Sequence, residues 1–490
     1  MPFLSSRATL SPDLPALIWD GGRSVLTYAE LADRVDQAAA TLHRHGLQAG
    51  ERVAVWLDNS VEYVILIHAA LRLGLALLPL NRRLSEAERA WQVEQVGCRA
   101  VITPENLKSF LGDGVGATSL HKKLSGQIGY AKSVPLPATE PADFVALLMF
   151  TSGTTGRPKA AQLTLSNLLA AAQASSQRLQ TQQGERWLLC LPLYHIGGMS
   201  ILFRACLDGL TVVLQERFEA DETFRLLHKK NVNLISLVPT MLYRLMPHFE
   251  SGASLPDLRL ILLGGAAPPP NLLRRALDCN LPIALTYGLT EACAQVATAL
   301  PEEVRQKPGT VGKPLTGIRV EITNDAGQSC SAGQVGEIVV QGPGVMPGYL
   351  GQPPLVEGRL RTGDLGYRDE DGDLWIVSRR SDLILSGGEN VYPEEVEQAL
   401  LQHPAVEAAC VVGLPDAEWG QQVTAAVVRR SSCEAAELLH FLRGRLAGYK
   451  IPRRLVFLET LPYTASGKLK RMEVAEMLKR QFHLESVDEL

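Results

Sequence analysis

From Arg52 to Thr286 of this 490-residue chain, short apolar runs alternate with segments of helical period, and nothing else in the sequence constrains the fold as strongly. The runs Arg52–Leu57, Leu75–Leu80, Val145–Phe150, Trp187–Leu191, Leu210–Leu214, Leu234–Val238, Leu258–Leu263 and Ile283–Thr286 read as buried strands, most of them followed by helical patterns. Strand–helix–strand at this spacing predicts parallel sheet with helices on its faces. Local signals agree. Thr27-Tyr28-Ala29-Glu30 fits a capping box, and Leu31, Val35, Ala38, Ala39 and Leu42 follow at helical spacing. Asp58-Asn59-Ser60 offers caps for a helix running to about Leu73.

The texture changes near Gly309. Ile318–Ile322, Gly336–Val340 and Asp373–Val377 are short strands punctuated by Gly and Pro, and Asp371-Gly372 is a hairpin signal. A small β-rich module is therefore expected from about residue 309. A second boundary falls near Ser378 to Asp382. Beyond it a helix from Glu394, strands at 408–413 and 423–428, a helix at 434–446 and a strand at 455–458 suffice for a separate α+β domain. The polar, Gly-rich stretch Gly112–Gly129 reads as a surface loop.

Composition excludes several functions. Lys and Arg number 48 against 52 Asp and Glu, a net charge of −4, and aromatics are 6%. A general nucleic-acid surface with stacking platforms is not expected. The longest apolar stretch, Val64 to Leu80, is interrupted by His68 and Arg72, so no integral membrane segment is expected. Met1-Pro2-Phe3-Leu4-Ser5-Ser6-Arg7 does not read as a secretory leader. The eight cysteines contain no C-x-x-C, and their nearest pair, Cys279 and Cys293, is fourteen apart. Reduced thiols in a cytoplasmic protein are expected, without disulfides or structural zinc.

The strongest local signal is Thr151-Ser152-Gly153-Thr154-Thr155-Gly156-Arg157-Pro158-Lys159, directly after an apolar strand. Four hydroxyls, two glycines and a lysine in nine residues suit an anionic ligand: the glycines admit close backbone approach, the hydroxyls donate and the ammonium supplies charge. It is not a Walker A loop, because Arg-Pro-Lys follows Gly156. Gly342-Pro343-Gly344-Val345-Met346-Pro347-Gly348 fails as a dinucleotide fingerprint, since its spacing is wrong and its prolines stop a helix from opening.

Together with four further motifs in the same order, the Thr151–Lys159 stretch resembles the acyl-adenylate-forming enzymes. These are Tyr287-Gly288-Leu289-Thr290-Glu291, Thr362-Gly363-Asp364, Arg379-Arg380-Ser381-Asp382 with Gly387-Gly388-Glu389-Asn390, and Ser466-Gly467-Lys468. The resemblance spans nearly the whole chain. It implies a large N-terminal domain (1–378) of doubly wound α/β subdomains plus a small β-barrel, a hinge at 379–382 and a small mobile α+β C-terminal domain (383–490). It also implies a two-step reaction. A carboxylate attacks the α-phosphorus of ATP with Mg²⁺ present, giving acyl-AMP and pyrophosphate, and CoA then displaces AMP.

The same resemblance implies roles. Thr151, Ser152, Gly153, Thr154, Thr155 and Lys159 would hold the β- and γ-phosphates. Glu291 would be the magnesium ligand, a hard oxygen donor for a hard cation, with Gly288 and Thr290 beside it. Asp364, an acceptor-only carboxylate, would take the ribose hydroxyls. Tyr287 would stack on adenine, against the Gly264-Gly265-Ala266-Ala267 segment, and Arg379 would contact ribose or phosphate. Lys468 would stabilise the charge that develops during adenylation. Ser381 would be the pivot, although it stands where the family often has Asp or Lys.

The acyl group is indicated by subgroup motifs. Leu191-Pro192-Leu193-Tyr194-His195-Ile196-Gly197-Gly198-Met199, Ser236–Leu242 and Leu260–Ala267 resemble the branch of CoA ligases acting on 2-succinylbenzoate in menaquinone or phylloquinone synthesis. That acid carries a second, aromatic carboxylate, which needs a donor or a cation if buried. Arg204, within the apolar run Ile201–Leu207, is the candidate, with Ser236 and Gln295 as weaker partners and His195 orienting the reacting carboxylate or gating the pocket. Another aryl- or fatty-acyl-CoA synthetase is the nearest alternative. An inactive nucleotide-binding protein and a luciferase-like oxygenase belong to other classes. The sequence leaves the oligomeric state open, a homodimer included.

Overall fold

The computed structural model describes residues 3–112, 143–152, 158–229, 231–252, 255–268, 270–324, 326–379, 384–391, 393–462 and 471–487. The Gly112–Gly129 loop therefore falls almost wholly outside the described residues. Among these residues the strands form four sheets.

The largest sheet has a parallel centre made of Pro15–Trp19, Thr211–Leu214, Arg186–Leu189, Leu234–Leu237, Leu260–Leu263 and Ile283–Tyr287. Thr211–Leu214, Leu234–Leu237 and Leu260–Leu263 are buried at every position. Both faces are covered, which is why these strands read as continuous apolar runs rather than alternating ones. A second sheet sets Ala100–Ile102, Arg52–Val55, Ala76–Pro79 and Val145–Ser152 parallel, then adds antiparallel Pro158–Thr164 and Gly348–Tyr349.

The helix signals hold. Thr27 caps Tyr28–Arg44 in a reciprocal box with Glu30, and Ser60 caps Val61–Leu73, which Gly74 ends in the left-handed conformation. The β-rich module expected from about residue 309 is a four-stranded antiparallel sheet of Arg319–Thr323, Gly336–Gln341, Leu360–Arg368 and Leu374–Arg379. Its last hairpin turns at Gly372, and Lys307 Nζ donates to the carboxylates of Asp369, Asp371 and Asp373 at 2.8, 2.6 and 2.7 Å.

One core cluster runs from Leu4 to Leu374 and takes in all three of these sheets. The remainder builds its own. Ile384–Ser386, Glu389–Val391, Gly420–Arg429, Val406–Asp416 and Arg454–Phe457 form a five-stranded sheet. Pro393–Leu401 and Ala435–Arg443 pack Val396, Leu400, Leu438 and Leu442 into one C-terminal core, and Arg471–Val487 packs Val474 and Leu478 into another. The sequence pattern omitted the strand Pro158–Thr164 and the helix Arg471–Val487. The first opens on Pro and Lys, and the apolar spacing of the second is weak.

Candidate active site

The parallel strands of both large sheets end at one cavity of about 1110 Å³. Ligands in open α/β sheets bind at such strand ends. The cavity is lined from the first sheet by Ser236, Gly264, Gly265, Thr286, Gly288, Thr290 and Glu291, and from the second by Thr151 and Lys159. The antiparallel pair Val145–Ser152 and Pro158–Thr164 sets Thr151 directly opposite Lys159. Gly153, Thr154 and Thr155 lie outside the described residues, as does the Ser152 side chain.

Glu291 sits on the short turn Thr290–Ala292 after the strand Ile283–Tyr287. That turn is tight enough to dictate residue types. A Cβ on Gly288 would lie 1.6 Å from the Ala294 carbonyl oxygen, so no other residue fits. Cys293 and Ala294 both take positive φ, at 51° and 90°, a local strain held by the surrounding core. One Glu291 oxygen accepts from Thr151 Oγ1 at 2.7 Å and from the Tyr349 hydroxyl at 2.9 Å. Two neutral donors orient this carboxylate without neutralising it. A half-buried anionic oxygen donor of this kind fits a hard divalent cation.

Asp364 is 3% exposed and its Oδ2 accepts from the Tyr287 hydroxyl at 2.7 Å. Thr362 Oγ1 takes the Asp364 amide N–H at 3.1 Å while Gly363 supplies the positive φ, so the Thr-Gly-Asp turn fixes its own carboxylate. Tyr287 itself is buried, and neither it nor Ala266 is among the residues lining the cavity. The backbone of Arg379 pairs opposite Asp364. The Arg379 side chain, Ser381 and Lys468 lie outside the described residues.

Another wall of the cavity is set by the helix Ile196–Asp208. A Cβ on Gly198 would lie 2.4 Å from the Pro192 carbonyl, so glycine alone lets this helix start against the preceding turn. Arg204 on this helix is 2% exposed and reaches the cavity wall. Its NH2 donates to Ser200 Oγ at 2.8 Å and its guanidinium lies 5.0 Å from the Trp187 ring, but its NH1 is buried with no hydrogen-bond partner. Burial pushes the Arg204 pKa down to about 10, with only partial relief from Asp208. Ser236 Oγ accepts from the Trp187 indole at 3.1 Å. Gln295 is committed to the scaffold, accepting from Ser175 and donating to Thr298 and Thr286.

The C-terminal unit closes the cavity with Gly387, Gly388, Glu389 and Asn390 of the hairpin 384–391 and with Tyr449 and Lys450 of the turn Gly448–Lys450. Glu389 approaches His195 Nε2 to 3.4 Å, takes a hydrogen bond from Asn81 at 3.1 Å and lies 3.7 Å from Arg83. Burial alone would raise the Glu389 carboxyl, but His195, Arg83 and Asn81 outweigh it and hold it below the ordinary carboxylate range. Sequence reasoning quoted Glu389 only as part of the loop after the hinge, and it missed Tyr349 and Trp187. The Gly-Gly-Glu-Asn pattern was the available signal for the first.

Residues 4–350 match the AMP-binding enzyme family and residues 395–468 its C-terminal domain. This chain belongs to the AMP-binding enzyme family. It is similar to the 2-succinylbenzoate–CoA ligase of Bacillus licheniformis, 40% identical over 96% of this chain and 98% of that one. It also resembles o-succinylbenzoate CoA synthetase from Bacillus subtilis in two solved forms. A double mutant bound with the product analogue OSB-NCoA gives a TM-score of 0.88 at 37% identity, covering 97% of this chain and 98% of that one. The same enzyme with the acyl-adenylate OSB-AMP gives 0.71 at 38% identity, covering 96% and 97%. Identity and coverage are nearly equal in the two, and the score is higher for the form bound with the product analogue. Among the described residues, no helix is long and apolar enough to cross a membrane.

Proposed function

We infer that this chain is an ATP-dependent acid–thiol ligase joining 2-succinylbenzoate to CoA, an enzyme of menaquinone or phylloquinone synthesis. The near-full-length identity to a curated ligase carries this reading, and the cavity supports it chemically. In the first step the succinyl carboxylate attacks the α-phosphorus of ATP, and pyrophosphate leaves with the bonding pair. In the second the CoA thiol attacks the acyl carbon, AMP departs and the thiol proton is released.

Thr151 and Lys159, opposed on their hairpin, are read as contacts for the phosphates, with Ser152, Gly153, Thr154 and Thr155 between them. Glu291 would hold Mg²⁺, which screens the polyphosphate when bound. Asp364 would accept the ribose hydroxyls, and Tyr287 is read as the group that fixes it. Arg379 would reach ribose or phosphate, and Lys468 would enter only for the first step. The Arg204 guanidinium, buried with its NH1 donor unpaired, suits the aromatic carboxylate. Ser236 and His195 would flank the acyl chain. Gln295, already bonded on both sides, would act by holding the wall.

The domain reading keeps residues 1–378 and 383–490 as units about a hinge at 379–382 pivoting at Ser381, and their separate cores support it. The better match to the form bound with a product analogue supports taking the present arrangement as the one that serves the second step. None of the eight cysteines is in a disulfide, which suits a reducing, cytoplasmic setting. Pyrophosphate release with ATP, Mg²⁺ and CoA, compared across 2-succinylbenzoate, benzoate and octanoate, tests the function. Preference for 2-succinylbenzoate is expected. Activity with octanoate alone would retain the ligase chemistry and overturn the substrate.

A further inference from the structure

The C-terminal sheet touches the rest of the molecule through few polar contacts, and they differ in kind. The Glu389 cluster lines the cavity and belongs to the site. Arg244–Glu418, at 3.1 Å, is about half exposed on both sides and worth little. The third contact is buried and reaches outward from the cavity: Lys450 and Glu395 line it, whereas Glu88 lies outside it. Lys450 Nζ donates to Glu88 Oε1 at 2.6 Å and to Glu395 Oε1 at 2.8 Å, with side-chain exposures of 6%, 12% and 17% for Lys450, Glu88 and Glu395.

These three residues are divided unequally. Lys450 and Glu395 both belong to the C-terminal unit, Glu395 on the helix Pro393–Leu401 that packs its first core. Glu88 belongs to the helix Glu86–Val96 beside the second sheet. Only the Glu88 bond crosses. When the C-terminal unit moves, Lys450 leaves with a carboxylate still attached, so no buried ammonium is stranded. Glu88 is also prepared for its partner. Its Oε2 accepts from Ser85 N and Ser85 Oγ, both at 2.8 Å, in a capping box that turns Oε1 towards Lys450. An acceptor fixed in advance loses little entropy when the partner docks. Next to it, Ser85 Oγ also reaches the Arg445 carbonyl at 3.3 Å.

We propose that Glu88 and Lys450 form a latch that selects the present arrangement of the C-terminal unit, making Glu88 a positioning residue for the second half-reaction. The proposal rests on the two-step ligase reading. Glu88 does not line the cavity, so neither half-reaction uses it for chemistry.

Glu88→Gln tests this cleanly, because Gln retains the capping box while losing the charge. Pyrophosphate release without CoA reads the first step. CoA thioester formation from preformed acyl-AMP reads the second. Hydrogen exchange at Tyr449 and Lys450 reads docking without activity. The expected result is a second step slowed about tenfold or more, faster exchange at Tyr449–Lys450, and an unchanged first step and melting temperature. Glu88→Asp should recover part of the second-step rate. Equal loss in both steps, or an unaltered second step with wild-type exchange, overturns the latch. A wild-type protein that releases no pyrophosphate with any acid would instead overturn the ligase reading.

Discussion

The cavity has two kinds of wall. On one side Glu291, Asp364 and Thr151 stand on strand ends and turns welded into a single core that runs from Leu4 to Leu374. Their partners are fixed by short covalent paths or by packing, as when Thr362 takes the Asp364 amide or the Ala294 carbonyl forbids a side chain at Gly288. On the other side Glu389, Tyr449 and Lys450 come from a unit with its own cores and meet the first wall through a handful of polar contacts. On the two-unit reading proposed above, the first wall would stay and the second would be exchanged. A ligase with two chemically different steps can use such a division, keeping the nucleotide in place while it changes the groups presented to it.

The sharpest break in this comparison comes from Lys468→Ala. Adenylation should fall on the order of 10²–10³-fold, the usual cost of one transition-state donor, while thioester formation from preformed acyl-AMP is largely spared. Both half-reactions, measured separately, check it. A fixed-wall substitution should behave differently. Asp364→Ala would remove the proposed ribose acceptor together with the carboxylate that accepts from the Tyr287 hydroxyl. A charged hydrogen bond is worth roughly 1.5–3 kcal/mol, so the KM for ATP should rise about tenfold or more. Nucleotide is bound in both steps, so both should suffer.

Arg204→Met sharpens the reading of the acyl pocket. The KM for 2-succinylbenzoate should rise about tenfold, with no change for an acid lacking the aromatic carboxylate. Because Arg204 is a buried cation short of one partner, the same change should leave the melting temperature of the ligand-free protein unaltered or higher. The smallest effect concerns pH. Glu389 has its pKa lowered in the folded protein, so its contribution is fully present above the ordinary carboxylate range and is lost as pH falls through the lowered value. The stability difference between wild type and Glu389→Gln in urea titrations should hold near neutrality and disappear in acid. A difference that grows in acid would contradict the assignment.

How much of this was legible follows from distance along the chain. Continuous apolar runs gave away the parallel strands because burial on both faces leaves no room for alternation. Caps at Thr27 and Ser60 are local and were readable. The motifs around Thr151, Glu291 and Asp364 are short strings readable in the sequence, and the fold carries all three residues to one cavity. Of the second wall only the Gly387–Asn390 string was visible, and its contacts were not legible. His195 meets Glu389 across 194 positions, and Lys450 meets Glu88 across 362. No periodicity records such pairs. Arg204 marks the same limit, since a lone arginine in an apolar run looks identical whether its helix faces solvent or core. Pro158–Thr164 escaped notice because its polar start belongs to the phosphate motif as well as to the strand.

The division between walls is tested most directly by measuring both half-reactions for Asp364→Ala, Lys468→Ala and Glu88→Gln in one series. The account predicts three patterns: both steps impaired for Asp364→Ala, the first alone for Lys468→Ala and the second alone for Glu88→Gln. Parallel losses in both steps for all three variants would contradict it.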